Sequence, residues 1–246
     1  MTVFNERERN VNTRKMTSPL PDQQTILMNV CRHCYHTLID CRDAYESCWV
    51  EPADVWKTLF NTPDGTMISN IMQIGDCNTS ATYQTLMNHL FSRYIGVFID
   101  LYLDNIVIYS DSIHLKHCRI VIDILCREKL YLATADKLKK IASKLKILGH
   151  VVDDKVIKMD PYKVDEILRW KTPTNKGLLL YFIGVAGYLA DNCPNLQLLS
   201  FLLSGLTGAT KVWRWGPTEQ QAFENVKKTI HEYQGLHRVS IVINIG

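Results

Sequence analysis

Long apolar runs are absent from this sequence of 246 residues. None reaches the ~18–20 residues that a membrane-spanning helix requires. The N-terminal segment, MTVFNERERNVNTRK, is polar and lacks the apolar core of a secretion signal. We therefore expect an intracellular protein, in the cytoplasm or the nucleus, that neither enters a membrane nor is secreted. Internal repeats are also absent, and a hydrophobic fraction of 46% is enough for the core of one or two domains.

A strong charge of one sign and a matched set of metal-binding cysteines are missing too. The net charge is only +3, so a nucleic-acid surface would have to come from local clusters of basic residues. The eight cysteines are scattered, which is typical of reduced thiols. Cys31 and Cys34 have zinc-knuckle spacing, but a structural zinc site needs a second pair. A zinc-dependent interaction module is therefore the weakest functional class.

The stretch Val97–Ser110, VFIDLYLDNIVIYS, predicts a β-hairpin. Two runs rich in β-branched and aromatic residues flank Leu103-Asp104-Asn105, and Asp and Asn favour tight turns. A carboxylate on such a turn is held in a fixed place, which suits a metal ligand. An ordinary hairpin with a solvated turn has the same pattern.

A second acidic segment, His36–Tyr45, reads HTLIDCRDAY and predicts a strand over Tyr35–Asp40 that ends at a carboxylate. Two-metal phosphoryl transfer needs carboxylates from separate segments, because they must hold two ions about 3.5–4 Å apart. Asp40 together with Asp104 could supply such a centre.

The segment Asp40–Tyr45 resembles the first catalytic motif of reverse transcriptases, D-x-x-x-A-Y/F. Tyr102–Asn105, YLDN, resembles their Y-x-D-D box with the last Asp changed to Asn. Asn61–Gly65 and Gly75–Asn88 are similar to the template- and nucleotide-side segments of Ty3/Gypsy retrotransposon polymerases. In order and spacing, the resemblance covers roughly residues 1–235.

The resemblance implies an α+β fold, with a reverse-transcriptase palm of antiparallel sheet backed by helices, followed by a mostly helical thumb or connection. It divides the chain into a remnant of the fingers (1–21), the palm with partial fingers (22–152), the thumb (153–210) and a linker toward a ribonuclease H domain (211–246). No downstream acidic cluster follows the linker, so no ribonuclease H active site is expected.

The resemblance also implies site residues. Asp40, Asp104 and Asn105 would be catalytic, and two Mg²⁺ ions, with Mn²⁺ as an alternative, would be held by Asp40, the Cys41 carbonyl and Asp104. Tyr45 and Gly75 would contact the nucleotide. Gly149, His150, Lys137, Lys139 and Lys140 would bind nucleic acid. The partners would be an RNA or DNA template with its primer and deoxynucleoside triphosphates. The oligomeric state is left open.

Some of these residues also have a simpler interpretation. A lysine-rich segment such as Lys137–Lys146 usually forms a solvated face. Lysines can also bind the phosphates of a primer or template without recognising its sequence. Gly149 would allow the backbone to approach a primer end, or it is a plain hairpin glycine. Asp100 shares a strand face with Asp104 if the strand is regular, where it would either compensate for the missing charge or be an ordinary solvated or hydrogen-bonded aspartate.

Asn105 is the departure from the Y-x-D-D box that matters for activity. An amide oxygen can coordinate Mg²⁺ but brings no negative charge. One electrostatic group at such a site is typically worth ~3–4 kcal/mol, or roughly 10²–10³ in rate. Two functions follow. One is an RNA-directed DNA polymerase that uses two-metal nucleotidyl transfer and is impaired by Asn105 and truncation. The alternative is a catalytically inactive, retroelement-derived fragment that binds nucleic acid.

Caps and apolar periodicity predict the remaining elements. Helices are expected over Gln23–Val30 after Asp22, Asn78–Leu90, Ser112–Glu128 with Ile113 facing inward, 161–170 after Asp160, Asn175–Ala190, and after the segment Trp213–Glu219 as far as His231. Glu46–Val50 should continue outward from the first strand, and Trp56–Asn61 should pair with Met67–Met72. His114 and His117 share a helix face, where a solvated or packed pair is commoner than a metal site.

Overall fold

The structure is a computed structural model that describes residues 5–130, 139–142, 144–153, 156–189, 193, 195–233 and 237–238. The chain divides into two compact units, Met1–Leu145 and Lys146–Gly246. The four-part division expected from the resemblance stays a prediction. None of the helices in the described residues combines the length and apolarity needed to cross a bilayer.

The first unit is a mixed helix and sheet domain. Its helices are α1 (Arg7–Asn12), α2 (Gln23–Arg32), α3 (Thr79–Phe91) and α4 (His114–Arg127). Its strands are β1 (Tyr35–Asp40), β2 (Phe60–Thr62), β3 (Gly65–Met67), β4 (Ile99–Tyr102), β5 (Asn105–Ser110) and β6 (Lys139–Ala142). Two 3₁₀ helices cover Tyr45–Ser47 and Pro52–Thr58.

A four-stranded sheet in the order β4-β5-β1-β6 carries the first unit. Its described pairings are antiparallel. Alternate residues of β1, β4 and β5 face one side, where Ile39, Leu101 and Ile106 pack with Tyr83 and Met87 of α3 and Val121 of α4. Burying one such side chain is worth about 1.5–3 kcal/mol, so this face fixes the register of the sheet. The predicted antiparallel sheet backed by helices is confirmed.

Two predicted strands are wrong, because local hydrogen bonds close turns in their place. Glu46–Val50 does not extend β1: the Ser47 N–H donates to the Ala44 carbonyl at 3.4 Å and the Cys48 N–H donates to the Tyr45 carbonyl at 3.2 Å, which forms a 3₁₀ turn. Trp56 lies in the 3₁₀ helix that starts at Pro52, where the Thr58 hydroxyl donates to the Val55 carbonyl at 2.7 Å. Only the short strands β2 and β3 remain of the predicted hairpin.

Helix α4 begins at His114, two residues later than predicted. Ile113 has a φ of +46° and is 60% exposed, so the prediction that it faces inward is wrong. A β-branched residue in the left-handed region ends the regular backbone, and the helix can start only after it.

His114 and His117 belong to a buried polar cluster on the sheet. His114 Nδ1 lies 3.1 Å from Ser110 Oγ, and its Nε2 lies 2.9 Å from Thr37 Oγ1. Ser110 Oγ also lies 2.6 Å from His117 Nδ1. Burial lowers the pKa of both imidazoles below the usual 6.5. The histidines form a packed pair that favours the neutral ring.

We expect the free energy of unfolding to fall as the pH drops below about 6.5. The folded pKa values of His114 and His117 are depressed, so the unfolded chain binds more protons in that window, and stability is complete only above it. Urea unfolding between about pH 8 and about pH 5.5 measures the slope. His114→Gln should flatten the slope, and equal slopes in both proteins would contradict this account.

The second unit is mostly helical. It contains α5 (Pro161–Leu168), α6 (Lys176–Tyr188), α7 (Leu196–Ser204) and α8 (Pro217–Glu232). Its sheet has the order β10-β9-β8-β7, formed by β7 (Lys144–Ile147), which runs across the division point, β8 (His150–Asp153), β9 (Val156–Met159) and β10 (His237–Arg238). The predicted helical region after the palm is confirmed.

Helix caps and aromatic packing hold the second unit. Tyr162 N–H donates to Asp160 Oδ1 at 3.2 Å, so the predicted cap of α5 forms, and Leu178 N–H donates to Asn175 Oδ1 at 2.9 Å, which caps α6. Phe182 of α6 and Phe223 of α8 are fully buried, with ring centroids 4.6 Å apart. This aromatic pair lies in the core that α5, α6, α7 and α8 share.

Candidate active site

The hairpin of β4 and β5 turns at Leu103 and Asp104, so that Tyr102 pairs with Asn105. Leu103 has a φ of +55°, at a position of a two-residue turn where glycine is usual. Its N–H donates to Oε1 of Gln84 at 2.8 Å, and Gln84 is fully buried on α3. Gln84 therefore fixes the turn and, with it, the position of Asp104.

The two acidic segments meet at one end of the sheet. Asp40, the last residue of β1, pairs directly with Asn105, the first residue of β5. The Cys41 N–H donates to the backbone carbonyl of Asp104 at 2.9 Å. Asn105 Nδ2 donates to Asp104 Oδ1 at 3.2 Å. The structure thus brings together Asp40, Asp104 and Asn105, whereas their metal-binding and catalytic roles stay predictions.

Cys41 and Tyr45 line the same end of the sheet. Burial raises the pKa of the Cys41 thiol to about 11, and the negative charges of Asp104 and Asp40 add to the shift. The thiol is therefore neutral, which leaves the carbonyl oxygen as the group of Cys41 that suits a hard cation. Burial also raises the pKa of Tyr45, with Asp104 adding to it, and the Tyr45 ring meets Tyr83 edge-on at 5.6 Å.

Gly75 lies in a loop that is held by the N-terminal helix. Asn10 Nδ2 donates to the Gly75 carbonyl at 2.8 Å, and Asn10 Oδ1 accepts the Cys77 N–H at 2.8 Å. Gly75 has a φ of +113°, a backbone angle that residues other than glycine rarely adopt. The nucleotide-binding role of Gly75 stays a prediction. Sequence reasoning missed Asn10, because an Asn on a short polar helix gives no signal of its partner.

Asp100 does not add its charge freely to this centre. It is 6% exposed, and Asn29 Nδ2 of α2 donates to its Oδ2 at 2.9 Å. Burial raises the pKa of the Asp100 carboxyl, which opposes ionisation. Of the two expected outcomes, the hydrogen-bonded aspartate is the one the structure shows.

A cavity of about 490 Å³ lies elsewhere in the first unit. It is lined by Arg9, Asn12, Thr13, Arg14, Val50, Asp54, Lys57, Thr58 and Asp76. Arg9 is already bound to Glu6 at 2.9 Å and to Gln73 at 2.9 Å, and Lys57 is paired with Asp54 at 2.5 Å. None of Asp40, Asp104 and Asn105 lines this cavity, so it is separate from the acidic end of the sheet.

The proposed nucleic-acid residues are divided between the two units, with Gly149 and His150 in the second unit and Lys139 and Lys140 in the first. Gly149 forms the β7–β8 turn and His150 starts β8. Lys137 lies outside the described residues, and Lys139 and Lys140 are described only as backbone of β6. Lys144 and Lys146 are exposed, as predicted for this segment. Lys146 is paired with Asp160 at 2.5 Å, so this lysine is not simply a free cation for phosphates.

The donor set at the acidic end suits a hard cation. Two carboxylates and a backbone carbonyl are oxygen ligands of the kind that Mg²⁺ prefers. Within the residues that the structure describes, no group of three or more histidine, cysteine, aspartate or glutamate side chains is arranged to hold a metal ion. The centre is therefore built on two carboxylates, with an amide where a third would give a stronger site.

Solved structures of foamy viral protease-reverse transcriptase have the same fold. One, in complex with double-stranded DNA, matches with a TM-score of 0.84 and 18% identity, over 96% of this chain and 42% of that one. Another, in complex with an RNA/DNA hybrid, matches with a TM-score of 0.83 and 19% identity, over 96% of this chain and 32% of that one. At this identity the likeness concerns the fold.

Transposon polyproteins of Schizosaccharomyces pombe are similar in sequence. The Tf2-7 polyprotein is 29% identical over 214 residues, and the Tf2-3 polyprotein is 28% identical over the same length. In both comparisons 86% of this chain is covered, and the chain spans 16% of the polyprotein.

The family model described as reverse transcriptase (RNA-dependent DNA polymerase) matches residues 4–152. This match includes β1 and the β4–β5 hairpin, and thus Asp40, Asp104 and Asn105. The chain therefore belongs to the reverse transcriptase family and is similar to part of the Tf2 transposon polyproteins.

Proposed function

We propose that the chain is the RNA-directed DNA polymerase module of a Ty3/Gypsy-type retrotransposon polyprotein. The observation that carries the proposal is the meeting of Asp40 and Asp104 at one end of the sheet, joined by the Cys41 N–H bond to the Asp104 carbonyl. The similarity to the Tf2 transposon polyproteins supports the subtype. The proposed substrates are a primer paired with an RNA or DNA template and deoxynucleoside triphosphates.

Asp40, Asp104 and the Cys41 carbonyl would hold two Mg²⁺ ions, or Mn²⁺. When bound, these ions would favour the ionised 3′ hydroxyl of the primer and neutralise charge on the departing pyrophosphate. The protein's own task is positioning and charge. Gln84 and the Cys41 N–H hold Asp104 in place, and the two carboxylates supply the negative charge that attracts the cations.

Tyr45 and Gly75 would form the nucleotide side of the site. The Tyr45 ring is held by its edge-on contact with Tyr83, and it lies close enough to Asp104 for the carboxylate charge to raise the Tyr45 pKa. There it would pack under the incoming sugar and exclude a 2′ hydroxyl by its bulk. Gly75 would present its backbone to the template or the nucleotide, with Asn10 fixing the loop.

Asn105 supports a second candidate, a catalytically inactive protein that binds nucleic acid. Its Nδ2 donates to Asp104, so the amide orients a neighbouring carboxylate and adds no charge of its own. A missing charge at such a centre is worth roughly 10²–10³ in rate. The primary proposal is therefore a weak polymerase, and the second candidate is the limit in which nucleotide addition is lost.

Primer extension separates the two candidates. We expect the protein to bind a polypurine RNA template with its DNA primer and to add complementary nucleotides slowly with Mg²⁺, and faster with Mn²⁺. Binding should weaken steeply with salt, because exposed lysines such as Lys144 displace counterions from phosphates. Fluorescence anisotropy measures binding in the same samples. Binding without nucleotide addition, with either Mg²⁺ or Mn²⁺, would support the inactive candidate and contradict the polymerase. Failure to bind the primer–template would contradict both candidate functions.

A further inference from the structure

The turn between β7 and β8 has an unusual residue at its first position. Leu148 has a φ of +45° and Gly149 a φ of +65°, the pattern of a type I′ hairpin turn. Such turns favour asparagine, aspartate or glycine at the first position, and leucine is disfavoured there. Contacts from outside the turn must therefore hold it in this conformation.

Three hydrogen bonds hold the carbonyl groups of this turn. The Tyr188 hydroxyl, at the end of α6, donates to the Leu148 carbonyl. His150 Nδ1 lies 2.8 Å from the same oxygen, which makes it a donor as well. The Asp160 N–H donates to the Gly149 carbonyl at 3.3 Å. Of these three donors, His150 belongs to the hairpin itself and Asp160 is the N-cap of α5. Tyr188 comes from α6, which is more distant in the sequence.

The glycine at position 149 makes room for Tyr188 and Lys163. A Cβ on Gly149 would lie 2.9 Å from Cε1 and from Oη of Tyr188, and closer still to Lys163 Nζ. Lys163 Nζ lies over the Tyr188 ring, 4.2 Å from its centroid, so a cation–π contact fixes the ring against the turn. The close approach that needs a glycine is therefore an approach from within the protein.

We infer that Tyr188, with Lys163 over its ring, is a positioning residue for the Leu148–Gly149–His150 turn. The inference rests on the proposed function, together with the expectation from the resemblance that Gly149 and His150 bind nucleic acid, with the Gly149 backbone close to the primer end. By binding the Leu148 carbonyl, the Tyr188 hydroxyl holds the turn, and with it the Gly149 backbone, in this conformation, while the buried His150 side chain bonds the same carbonyl from the inner side. The ring and the cation act together, because the cation fixes the ring and the ring places the hydroxyl.

Tyr188→Phe is the sharpest test, since it keeps the ring and removes only the donor. We expect it to reduce the preference for a primer–template with a recessed 3′ end, over a blunt duplex of equal length, by about 2- to 10-fold. This is the effect of one neutral hydrogen bond. Fluorescence anisotropy at matched salt gives both dissociation constants. A purely structural loss would lower both affinities together and leave their ratio unchanged.

Two matched comparisons complete this test. Tyr162→Phe, on the exposed side of α5, should leave the ratio unchanged. Lys163→Met should lower it, whereas Lys163→Arg should restore it, because arginine keeps a cation over the ring. If the unaltered protein shows no preference for the recessed end, the primer-contact part of the proposed function is wrong and this inference falls with it. If the preference exists and Tyr188→Phe leaves it intact, this inference alone is overturned.

A double-mutant cycle tests the reason for the glycine. Gly149→Ala should weaken binding to the recessed end less in a Tyr188→Ala protein than in the unaltered one, because the clash with the ring is gone. Equal losses in both backgrounds would show that Gly149 serves only its own backbone conformation or the nucleic acid. Circular dichroism and urea unfolding establish that each variant is folded.

Discussion

Replacing Asn105 with aspartate is expected to raise Mg²⁺ affinity and primer extension by roughly 10²-fold or more. Asn and Asp are nearly isosteric, and Asn105 is the first residue of β5, opposite Asp40, so the backbone should survive the change. The substitution replaces a neutral amide with an anionic oxygen beside Asp104. Both proteins are compared on one primer–template at matched Mg²⁺.

The expected gain in primer extension depends on the position of the new carboxylate, and not on added negative charge in general. Gln221→Glu makes the same amide-to-carboxylate change on an exposed site of α8 and should leave extension unaltered. Without metal, Asn105→Asp should not stabilise the fold, since a third carboxylate adds like-charge repulsion. Equal extension by Asn105→Asp and the unaltered protein would show that Asn105 does not limit the reaction.

Replacing Asp40 with asparagine is expected to lower primer extension by about 10²–10³-fold. Asp40 is one of the two carboxylates at this end of the sheet, and its loss would leave Asp104 alone with two amides. The effect is best measured in the Asn105→Asp protein, where the higher starting rate leaves room for a decrease. Metal titration followed by tryptophan fluorescence gives the matching loss of affinity.

Asp43→Asn is the control for this second substitution. Asp43 lies three residues further along the chain, is exposed, and pairs only with its neighbour Arg42 among the contacts described, at 3.1 Å. It should change extension little, because exposed ion pairs are worth ~0–1 kcal/mol. Similar losses in the Asp40 and Asp43 variants would place the reacting centre elsewhere, and an active Asp40→Asn protein would refute the two-carboxylate site.

Local signals in the sequence predicted the elements that local chemistry determines. The strand Tyr35–Asp40 was expected with the bounds that β1 has, because its residues favour extended structure and a polar turn follows. Asp22 and Asp160 were recognised as helix caps, and each side chain accepts an N–H from the first turn of its helix. Such signals need only a few neighbouring residues.

Elements that depend on distant partners were not predictable in the same way. β6 was seen only as a lysine-rich segment, since its pairing with β1 depends on residues about a hundred positions away. The 3₁₀ turns at Tyr45–Ser47 and Pro52–Thr58 arise from Ser47 and Thr58 side-chain and backbone bonds that compete with extended structure.

The residues of the site likewise divide into those that local sequence motifs reveal and those that depend on distant partners. Motif resemblance drew attention to Asp40, Asp104 and Asn105, which the fold does bring together. It gave no sign of Gln84, because a glutamine on an amphipathic helix is ordinarily exposed. Only the structure shows that it is buried and binds the Leu103 N–H. Residues that hold a site are harder to find than residues that form it, because their partners lie in other segments.

The central place of β1 in its sheet has a consequence during synthesis on the ribosome. Both neighbours of this strand, β5 and β6, follow it in the sequence, so β1 emerges from the ribosome with two unpaired edges. The apolar face of β1 stays uncovered until the hairpin and α4 have been made. Exposed strand edges are templates for aggregation, and chains that wait for late pairing depend on chaperones. The segment that carries Asp40 therefore has unpaired strand edges until β5 and β6 have been made.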